Sequence, residues 1–177
     1  MSVGEVLSQV RVKEYNYFDG MPVLTMKPDA MEGVLDYKSI NVGNCHTATI
    51  ESVSEIKKIV TLTLNDFVKG TLTIEHMADH PLKVIPPKFT EVGKQIKVRV
   101  FNIEKRSITF TKKDTFMKDK TPVYTSVSEL SQGSKLVGVV VGQAEHGFVV
   151  KSFGGLKGLL THTDVKNNKD LLKGELK

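Results

Sequence analysis

The residues best suited to binding chemistry lie in one alternating segment, Gln95–Ile103. A two-residue period places the two valines of its Val-Arg-Val motif on the buried face of a strand. Lys97, Arg99 and Phe101 then share the outer face. Two cations with one aromatic ring suit single-stranded RNA, because phosphates attract the cations and a base can stack on the ring. The alternative is a solvated strand face with one isolated aromatic.

The distribution of charge favours a polyanionic partner for the same region. The chain has a formal net charge of +5, but 11 Lys or Arg and four acidic residues lie between Lys83 and Lys120, a local charge of +7. A concentrated basic segment within a β-rich module is typical of nucleic-acid binding. Charge that serves only solubility is the alternative interpretation.

Two histidine-containing motifs carry little chemistry. His76 and His80 have the i, i+4 spacing of helical metal sites, but no Glu follows the first His and Pro81 stops the helix. Cys45 and His46 are neighbours on a predicted strand, so they point to opposite faces and cannot pair as nucleophile and base. Hydrolase, phosphate-loop and dinucleotide glycine motifs are absent from the sequence. We therefore expect no enzyme activity, no catalytic residue, no metal and no cofactor.

Composition excludes several further classes. Hydrophobic residues make up 40% of the chain, enough to fill small cores. No apolar run approaches the ~18 residues that cross a bilayer, and the charged N-terminal segment does not resemble a secretory signal. A single cysteine excludes an internal disulfide. We expect neither a membrane nor a small-molecule substrate among its partners.

The chain repeats itself at a spacing of about ninety residues. Gly43 and Gly133 are 90 residues apart, and Gly70 and Gly158 are 88 residues apart. The matched segments are Val3–Lys27 with Val92–Lys113, Ile40–Val53 with Leu130–Gln143, and Val68–Thr73 with Leu156–Thr161. Three matched pairs of segments in one order at one period indicate copies of a single module.

Alternation and turn residues predict five short strands in the central copy. A helical turn, His76–His80, is expected after the third of these strands. The strands are Thr47–Val53, Lys58–Leu64, Gly70–Ile74, Gln95–Ile103 and Ser107–Thr111. Five short strands in so few residues favour a small closed barrel, since closure removes exposed sheet edges.

The repeat divides the chain into four predicted parts. Residues 1–31 are the C-terminal part of a preceding module and residues 37–113 are one complete module. Residues 114–129 are a polar linker, and residues 130–177 are the N-terminal part of a following module. The two partial copies hold complementary strands, so together they could also complete one permuted barrel.

The ordered motifs resemble a known family. The order begins with a Gly-initiated strand, a Gly-aromatic strand, a Lys-Gly-Leu strand, a helical turn and a Pro-rich loop. Val-Gly, Val-Arg-Val, an acidic-basic turn and an apolar-Thr-Lys-Lys ending follow. This order is similar to the RNA-binding repeat of ribosomal protein S-one, a version of the OB fold. The tandem arrangement most resembles the family of the eukaryotic nucleolar ribosomal-RNA-processing protein five, whose members are long strings of such repeats. The implied fold is all-β, with one complete five-stranded OB barrel flanked by partial repeats.

The resemblance implies further RNA-binding residues. The turn Glu104-Lys105-Arg106 matches the family's acidic-basic turn. In that turn the acidic residue accepts a hydrogen bond from a ribose hydroxyl or a nucleobase, and the basic residue contacts a phosphate. A plain hairpin turn is the alternative. In the third copy, His146 and Phe148 fall at the family's aromatic positions, with a core role as the rival for Phe148. The predicted RNA-binding residues are Lys97, Arg99, Phe101, Glu104, Lys105, Arg106, His146, Phe148 and Lys151.

The resemblance also implies a function. It predicts binding of single-stranded pre-ribosomal RNA during ribosomal-RNA processing and subunit assembly, in the nucleus and nucleolus, together with ribosome-assembly proteins. Thr73 and Thr161 stand where many members carry a His that meets RNA, and the strand KIVTLTL has no aromatic. The central copy could therefore be a spacer. The remaining alternative is a protein-interaction module that scaffolds an assembly complex with little direct RNA contact.

Overall fold

The structure is a computed structural model of the 177-residue chain that describes residues 3–7, 10–16, 18–26, 37–65, 68–105 and 107–167. Its strands are β1 (Arg11–Tyr15), β2 (Pro22–Thr25), β3 (Cys45–Ser54), β4 (Ile59–Thr63), β5 (Lys69–Thr73), β6 (Gln95–Glu104), β7 (Ser107–Thr111), β8 (Val139–Ala144), β9 (Gly147–Lys151) and β10 (Lys157–Thr161). Two short α-helices are α1 (Asp114–Met117) and α2 (His162–Asn167). Single 3-10 turns occupy Tyr37–Ser39, Ile74–His76, Pro87–Phe89, Val127–Glu129 and Phe153–Gly155.

Five strands close into a barrel in the order β3-β4-β5-β7-β6. All neighbours are antiparallel except β5 and β7, which are parallel. Closure depends on the ten-residue β3, which pairs through its first half with β6 and through its second half with β4. A β-bulge between Ile50 and Ser52 bends β3 between its two partners. The predicted five-stranded OB barrel is confirmed.

Alternation along the strands fills the barrel with β-branched and aromatic side chains. The buried core includes Val60, Leu62, Leu72, Val98, Val100, Ile108 and Phe110, each fully shielded from solvent. Gly70 on β5 makes this packing possible. A Cβ there would lie 2.3 Å from the Phe110 ring and 2.8 Å from the Ile108 carbonyl oxygen.

The helical turn after the third barrel strand starts earlier than the sequence suggested. The sequence placed it at His76–His80, whereas the structure has a 3-10 turn at Ile74–His76. The Met77 amide donates to the Ile74 carbonyl at 3.3 Å, and Met77 itself is buried in the core. The chain therefore turns directly off β5, because the Met77 side chain packs into the end of the barrel.

Residues 114–129, expected to be a polar linker, pack against the barrel. Phe116 of α1 is buried. It packs with Phe101 and Phe153 in a second apolar cluster outside the barrel. Asp79 accepts hydrogen bonds from the Thr115 amide at 3.1 Å and its hydroxyl at 2.9 Å. Lys113 donates from Nζ to the Ala78 carbonyl at 2.6 Å. Polar composition identified the surface character of this segment but not its attachment.

Two further sheets flank the barrel. Strands β1 and β2 form an antiparallel hairpin, and β8, β9 and β10 form an antiparallel sheet in the order β10-β9-β8. Within the residues that the structure describes, the hairpin and the three-stranded sheet share no strand pairing. The permuted barrel suggested by the sequence is therefore not formed by the described residues.

Candidate nucleic-acid interface

Strand β6 alternates as the sequence predicts, but the outer face is mostly covered. Val98 and Val100 lie in the barrel core, and Lys97 is exposed opposite Thr47 of β3. Arg99 is only 8% exposed and Phe101 only 1%. The expectation that these two residues lie open to solvent is wrong, because a later part of the chain covers them. They are not accessible to RNA in this structure.

The Arg99 guanidinium instead holds three backbone carbonyls. It donates from Nε to Gly43 O at 2.5 Å, and from Nη1 to Phe116 O at 2.7 Å and Lys118 O at 3.0 Å. The same guanidinium lies 5.1 Å from the centre of the Phe153 ring, a cation–π contact. Arg99 thus joins the start of β3, the segment after the barrel and the three-stranded sheet.

Phe101 is the centre of an aromatic cluster on the same face. Its ring centre lies 5.5 Å from that of Phe116 and 5.6 Å from that of Phe153, and Phe116 and Phe153 are 5.2 Å apart. His76 lies 4.3 Å from Phe101. Burial, with a smaller effect of the nearby Lys113, lowers the pKa of His76 to about 4, so its imidazole is neutral at physiological pH. Phe101 therefore joins β6 of the barrel to Phe116 of α1 and to Phe153 in the turn between β9 and β10.

The acidic-basic turn stays at the surface. Lys105 is exposed and has a left-handed backbone with φ of 56°, which tightens the hairpin between β6 and β7. Glu104 accepts hydrogen bonds from Asn102 Nδ2 at 2.7 Å and from Lys151 Nζ at 3.5 Å. The structure thus brings together two predicted site residues, Glu104 at the end of β6 and Lys151 at the end of β9. Arg106 lies outside the described residues.

The two aromatic residues predicted to bind RNA in the third copy differ in exposure. His146 is exposed at the turn between β8 and β9, and its carbonyl accepts a hydrogen bond from the His162 amide at 3.1 Å. Phe148 is half-buried and meets the His162 ring edge-on at 5.3 Å. It lines an apolar cleft of about 500 Å³ between the three-stranded sheet and residues 74–82 of the barrel. Phe148 belongs to neither buried apolar cluster, so its predicted role in stacking stays a prediction beside the core alternative.

A shallow groove on the barrel wall gathers groups that bind a sugar-phosphate backbone. It is lined by Tyr37, Thr61, Lys69, Gly70, Thr71, Glu104, Lys105, Ser107 and Ile108. The Tyr37 hydroxyl accepts from the Lys69 amide at 3.2 Å and donates to its carbonyl at 3.3 Å, which fixes the ring beside β5. Lys69 forms an ion pair with Glu51 and keeps about half of its side chain exposed. Of the predicted residues only Glu104 and Lys105 lie here.

Sequence reasoning missed Tyr37 and Lys69 because they are 32 residues apart and neither lies in the alternating basic segment. One signal was available: Lys69 is the Lys of the Val-Lys-Gly motif that recurs as Leu-Lys-Gly at Lys157. Closure of the barrel brings this Lys beside the turn at Lys105.

Threonine pairs extend the groove across four strands. Thr49 pairs with Thr63, Thr61 with Thr71, and Thr71 with Thr109. Hydroxyls both donate and accept hydrogen bonds, so this wall offers partners to ribose and phosphate oxygens. Its aromatic content is low, and base stacking on the wall itself is correspondingly limited. We call this surface, from Tyr37 through the threonine pairs to Lys105, the threonine groove.

Other classes of site find no support in the described residues. No group of three or more His, Cys, Asp or Glu in the described ranges could hold a metal ion. His76 is buried and His80 exposed, so the two do not form a chelating pair. None of the helices described in residues 3–167 is both long and apolar enough to cross a membrane.

Comparison with known proteins finds three relatives that share the name RRP5. The chain is 28% identical over 153 residues to the rRNA biogenesis protein RRP5 of Arabidopsis thaliana, a match that covers 86% of this chain and 8% of that protein. The chain is related in sequence to the RRP5 proteins. RRP5 of Schizosaccharomyces pombe is 23% identical and the mouse RRP5 homologue 24%, over 86% and 85% of this chain. This chain spans only 8–9% of the length of these RRP5 relatives. No protein-family model matches it.

Solved structures show partial similarity. GSP13 of Bacillus subtilis is 17% identical with a TM-score of 0.39, covering 55% of this chain and 75% of that one. A Pyrococcus horikoshii complex of a/eIF2alpha, aDim2p and rRNA matches at 15% identity and a TM-score of 0.38, over 43% and 46%. Both TM-scores are below 0.5, so the fold is assigned from the strand order and the strand registers.

Proposed function

We propose that the chain is an RNA-binding segment of a ribosome-biogenesis factor and that it binds single-stranded pre-ribosomal RNA during rRNA processing and subunit assembly. Its sequence relation to proteins named for rRNA biogenesis supports the process. The observation that carries the binding mode is the threonine groove, in which Lys69 and Lys105 flank hydroxyl groups on an OB barrel.

The groove is suited to the RNA backbone more than to its bases. The two lysines supply charge for phosphates, and the threonine hydroxyls supply partners for ribose 2′-OH groups. Tyr37 is the aromatic side chain that lines the groove, so it offers one stacking position. This arrangement favours weak, sequence-tolerant binding. Tandem modules would add to one another through effective concentration.

The proposal includes the setting and the partners. A factor of this kind acts in the nucleus and nucleolus, beside ribosome-assembly proteins, and it works by binding without catalysis. The proposal assigns secondary contacts to Lys97, Lys151 and His146, because each is at least partly exposed. Arg99 and Phe101 have no part in the proposed interface.

A second candidate is a protein scaffold with little RNA contact. The observation that favours it is the cleft of about 500 Å³ lined by Phe148, Leu160 and Val165, because exposed apolar side chains grouped together are typical of protein-interaction surfaces. The two functions differ in their dependence on salt. Phosphate contacts release counterions, so RNA binding weakens steeply between about 50 and 200 mM salt, whereas binding to a folded protein depends on salt less.

The test is fluorescence anisotropy with a labelled single-stranded RNA at several salt concentrations. The double variant Lys69→Ala/Lys105→Ala is expected to lower affinity and to reduce the log–log salt slope by about 2, one for each lost phosphate contact. The matched control is Lys118→Ala/Lys120→Ala, which removes two exposed lysines outside the groove. Equal loss in both double variants, or no loss in the first, would contradict the proposed site.

A further inference from the structure

Four side chains that each carry a hydroxyl group form a row across the outer wall of the barrel. Ser52 of β3 pairs with Thr61 of β4, and Thr61 pairs with Thr71 of β5. Thr71 pairs in turn with Thr109 of β7. Neighbouring strands lie ~4.8 Å apart, so the row places one hydroxyl-bearing residue on each of four adjacent strands. We call Ser52, Thr61, Thr71 and Thr109 the hydroxyl row.

The hydroxyl row faces outward because the residues beside it along each strand fill the core. Val60 and Leu62 flank Thr61, and both are fully shielded from solvent. The neighbours of Thr109 on β7 are buried in the same way. Successive side chains of a strand point to opposite faces, so the side chains of the row point away from the core. Ser52 is exposed and the three threonines are half-buried, which leaves the row within reach of a ligand.

The hydroxyl groups of the row have hydrogen-bonding capacity that the protein does not use. Thr71 donates its hydroxyl proton from Oγ1 to the Ile108 carbonyl at 3.4 Å. A threonine oxygen also accepts hydrogen bonds, so Thr71 can still accept one from a ligand. No hydrogen bond connects the hydroxyl groups of Ser52, Thr61 and Thr109 to another part of the chain that the structure describes. The row can therefore both donate to and accept from the oxygen atoms of a sugar.

The barrel holds the row in place before any ligand binds. Gly70 lets β5 approach β7 closely, since a Cβ there would lie 2.3 Å from the Phe110 ring. The Tyr37 hydroxyl accepts from the Lys69 amide and donates to the Lys69 carbonyl, which holds the start of β5. A site that is already ordered loses little conformational freedom on binding. Individually weak hydrogen bonds from the row can therefore contribute to affinity.

The lysines of the threonine groove and the hydroxyl row meet different parts of a polynucleotide. Lys69 and Lys105 line the groove together with Thr61 and Thr71. Phosphate groups are common to RNA and DNA, so the two lysines attract both polymers. The ribose 2′-OH group is present in RNA alone, and it can both donate and accept hydrogen bonds. Selection between the two polymers therefore falls to the hydroxyl row.

We propose that the hydroxyl row makes the threonine groove selective for ribose over deoxyribose. The 2′-OH group of a bound ribose donates to Thr71 Oγ1, whose own proton is bonded to the Ile108 carbonyl. Thr61 and Thr109 lie on either side of Thr71 and bond to further sugar oxygens. This inference rests on the proposed binding of RNA and adds its selectivity. The alternative is that these threonines serve strand formation only, because Thr is favoured in strands and Thr–Thr pairs stabilise sheets.

The first test uses the unchanged chain and varies the sugar of the ligand. Fluorescence anisotropy compares a single-stranded RNA with the DNA of the same base sequence, in which deoxyuridine replaces uridine. We expect the RNA to bind at least about tenfold more tightly, the effect of two hydrogen bonds of ordinary strength. RNA with 2′-O-methyl riboses keeps the 2′ oxygen but has no 2′ proton to donate, so it should bind as weakly as the DNA. Equal binding of RNA and DNA would overturn the selectivity and leave the proposed RNA binding in place, whereas absence of RNA binding at about 50 mM salt would overturn both.

The second test removes hydroxyl groups but keeps the branched shape of the side chains. Thr61→Val/Thr71→Val should bring the ratio of RNA to DNA affinity within about threefold, while DNA affinity and the salt slope stay unchanged because the lysines remain. Thr71→Ser keeps a hydroxyl group and should keep the ratio. The matched control, Thr90→Val/Thr163→Val, removes two exposed hydroxyl groups outside the groove and should keep the ratio as well. A ratio that survives in Thr61→Val/Thr71→Val, or that falls equally in the control, would refute the assignment to the hydroxyl row.

Discussion

Replacing Arg99 with lysine separates a structural role from an RNA-binding role, because the charge stays and the geometry changes. The guanidinium donates to three carbonyls, those of Gly43, Phe116 and Lys118, and it packs on Phe153. A lysine ammonium is compact and cannot reproduce the planar fork that spans three acceptors. At least one carbonyl therefore loses its partner.

The size of the effect follows from these contacts. A hydrogen bond from a charged group contributes about 1.5–3 kcal/mol, so Arg99→Lys should lower the free energy of unfolding by about 2 kcal/mol. Arg99→Ala loses all three bonds and the ring contact, and we expect a loss of about 4 kcal/mol after allowing for non-additivity. Lys97→Ala, on the same strand but exposed, should change stability by less than about 0.5 kcal/mol.

The assay is urea unfolding followed by circular dichroism, with RNA affinity measured on the same proteins under native conditions. The expected result is a lower urea midpoint for Arg99→Lys, with RNA affinity unchanged wherever the protein remains folded. Unchanged stability together with weaker RNA binding would refute the reasoning, because it would show that the guanidinium meets RNA and not the three carbonyls.

Three further perturbations test the packing. Phe153→Ala should cost about 3–5 kcal/mol and raise amide hydrogen exchange in Gly147–Lys151 more than in the barrel core. Gly70→Ala should cost about 1–3 kcal/mol in urea unfolding because its Cβ would meet Phe110, whereas Gly142→Ala, with no atom within 4 Å, should be neutral. His76 binds a proton more readily in the unfolded chain, because burial lowers its pKa in the folded chain to about 4. The free energy of unfolding should therefore be highest above about pH 6.5 and fall towards pH 4. His76→Phe should flatten this pH profile. Amide exchange that rises equally in all strands of Phe153→Ala would contradict the first prediction. Equal losses of stability in Gly70→Ala and Gly142→Ala would contradict the second, and an unchanged pH profile in His76→Phe would contradict the third.

Periodicity was sufficient to predict most of the barrel. The strand Ser107–Thr111 has the predicted bounds, and the predicted Gln95–Ile103 is one residue short of β6. Alternation in these segments reflects one buried face, and that local property is readable without tertiary contacts. In KIVTLTL the threonines alternate with Leu and Val residues, and this alternation likewise predicted β4, which is observed as Ile59–Thr63.

The site was harder to predict because alternation assigns a face but not its neighbour. Arg99 and Phe101 do point out of the barrel, yet Phe116 and Phe153 cover them from segments 15 or more residues further along the chain. A single Phe in an otherwise polar linker was the available signal. The threonine groove was only partly indicated by the sequence, through Lys105 and the recurring Lys-Gly motif of Lys69, since Tyr37, Lys69 and Lys105 meet only when the barrel closes.

Cross-linking of the chain to single-stranded RNA, with the modified peptides mapped by mass spectrometry, tests the central claim most directly. The account predicts cross-links at Tyr37, Lys69 and Lys105, with Arg99 and Phe101 unmodified. Cross-links that avoid the threonine groove and cluster elsewhere, or no RNA adducts at low salt, would contradict it.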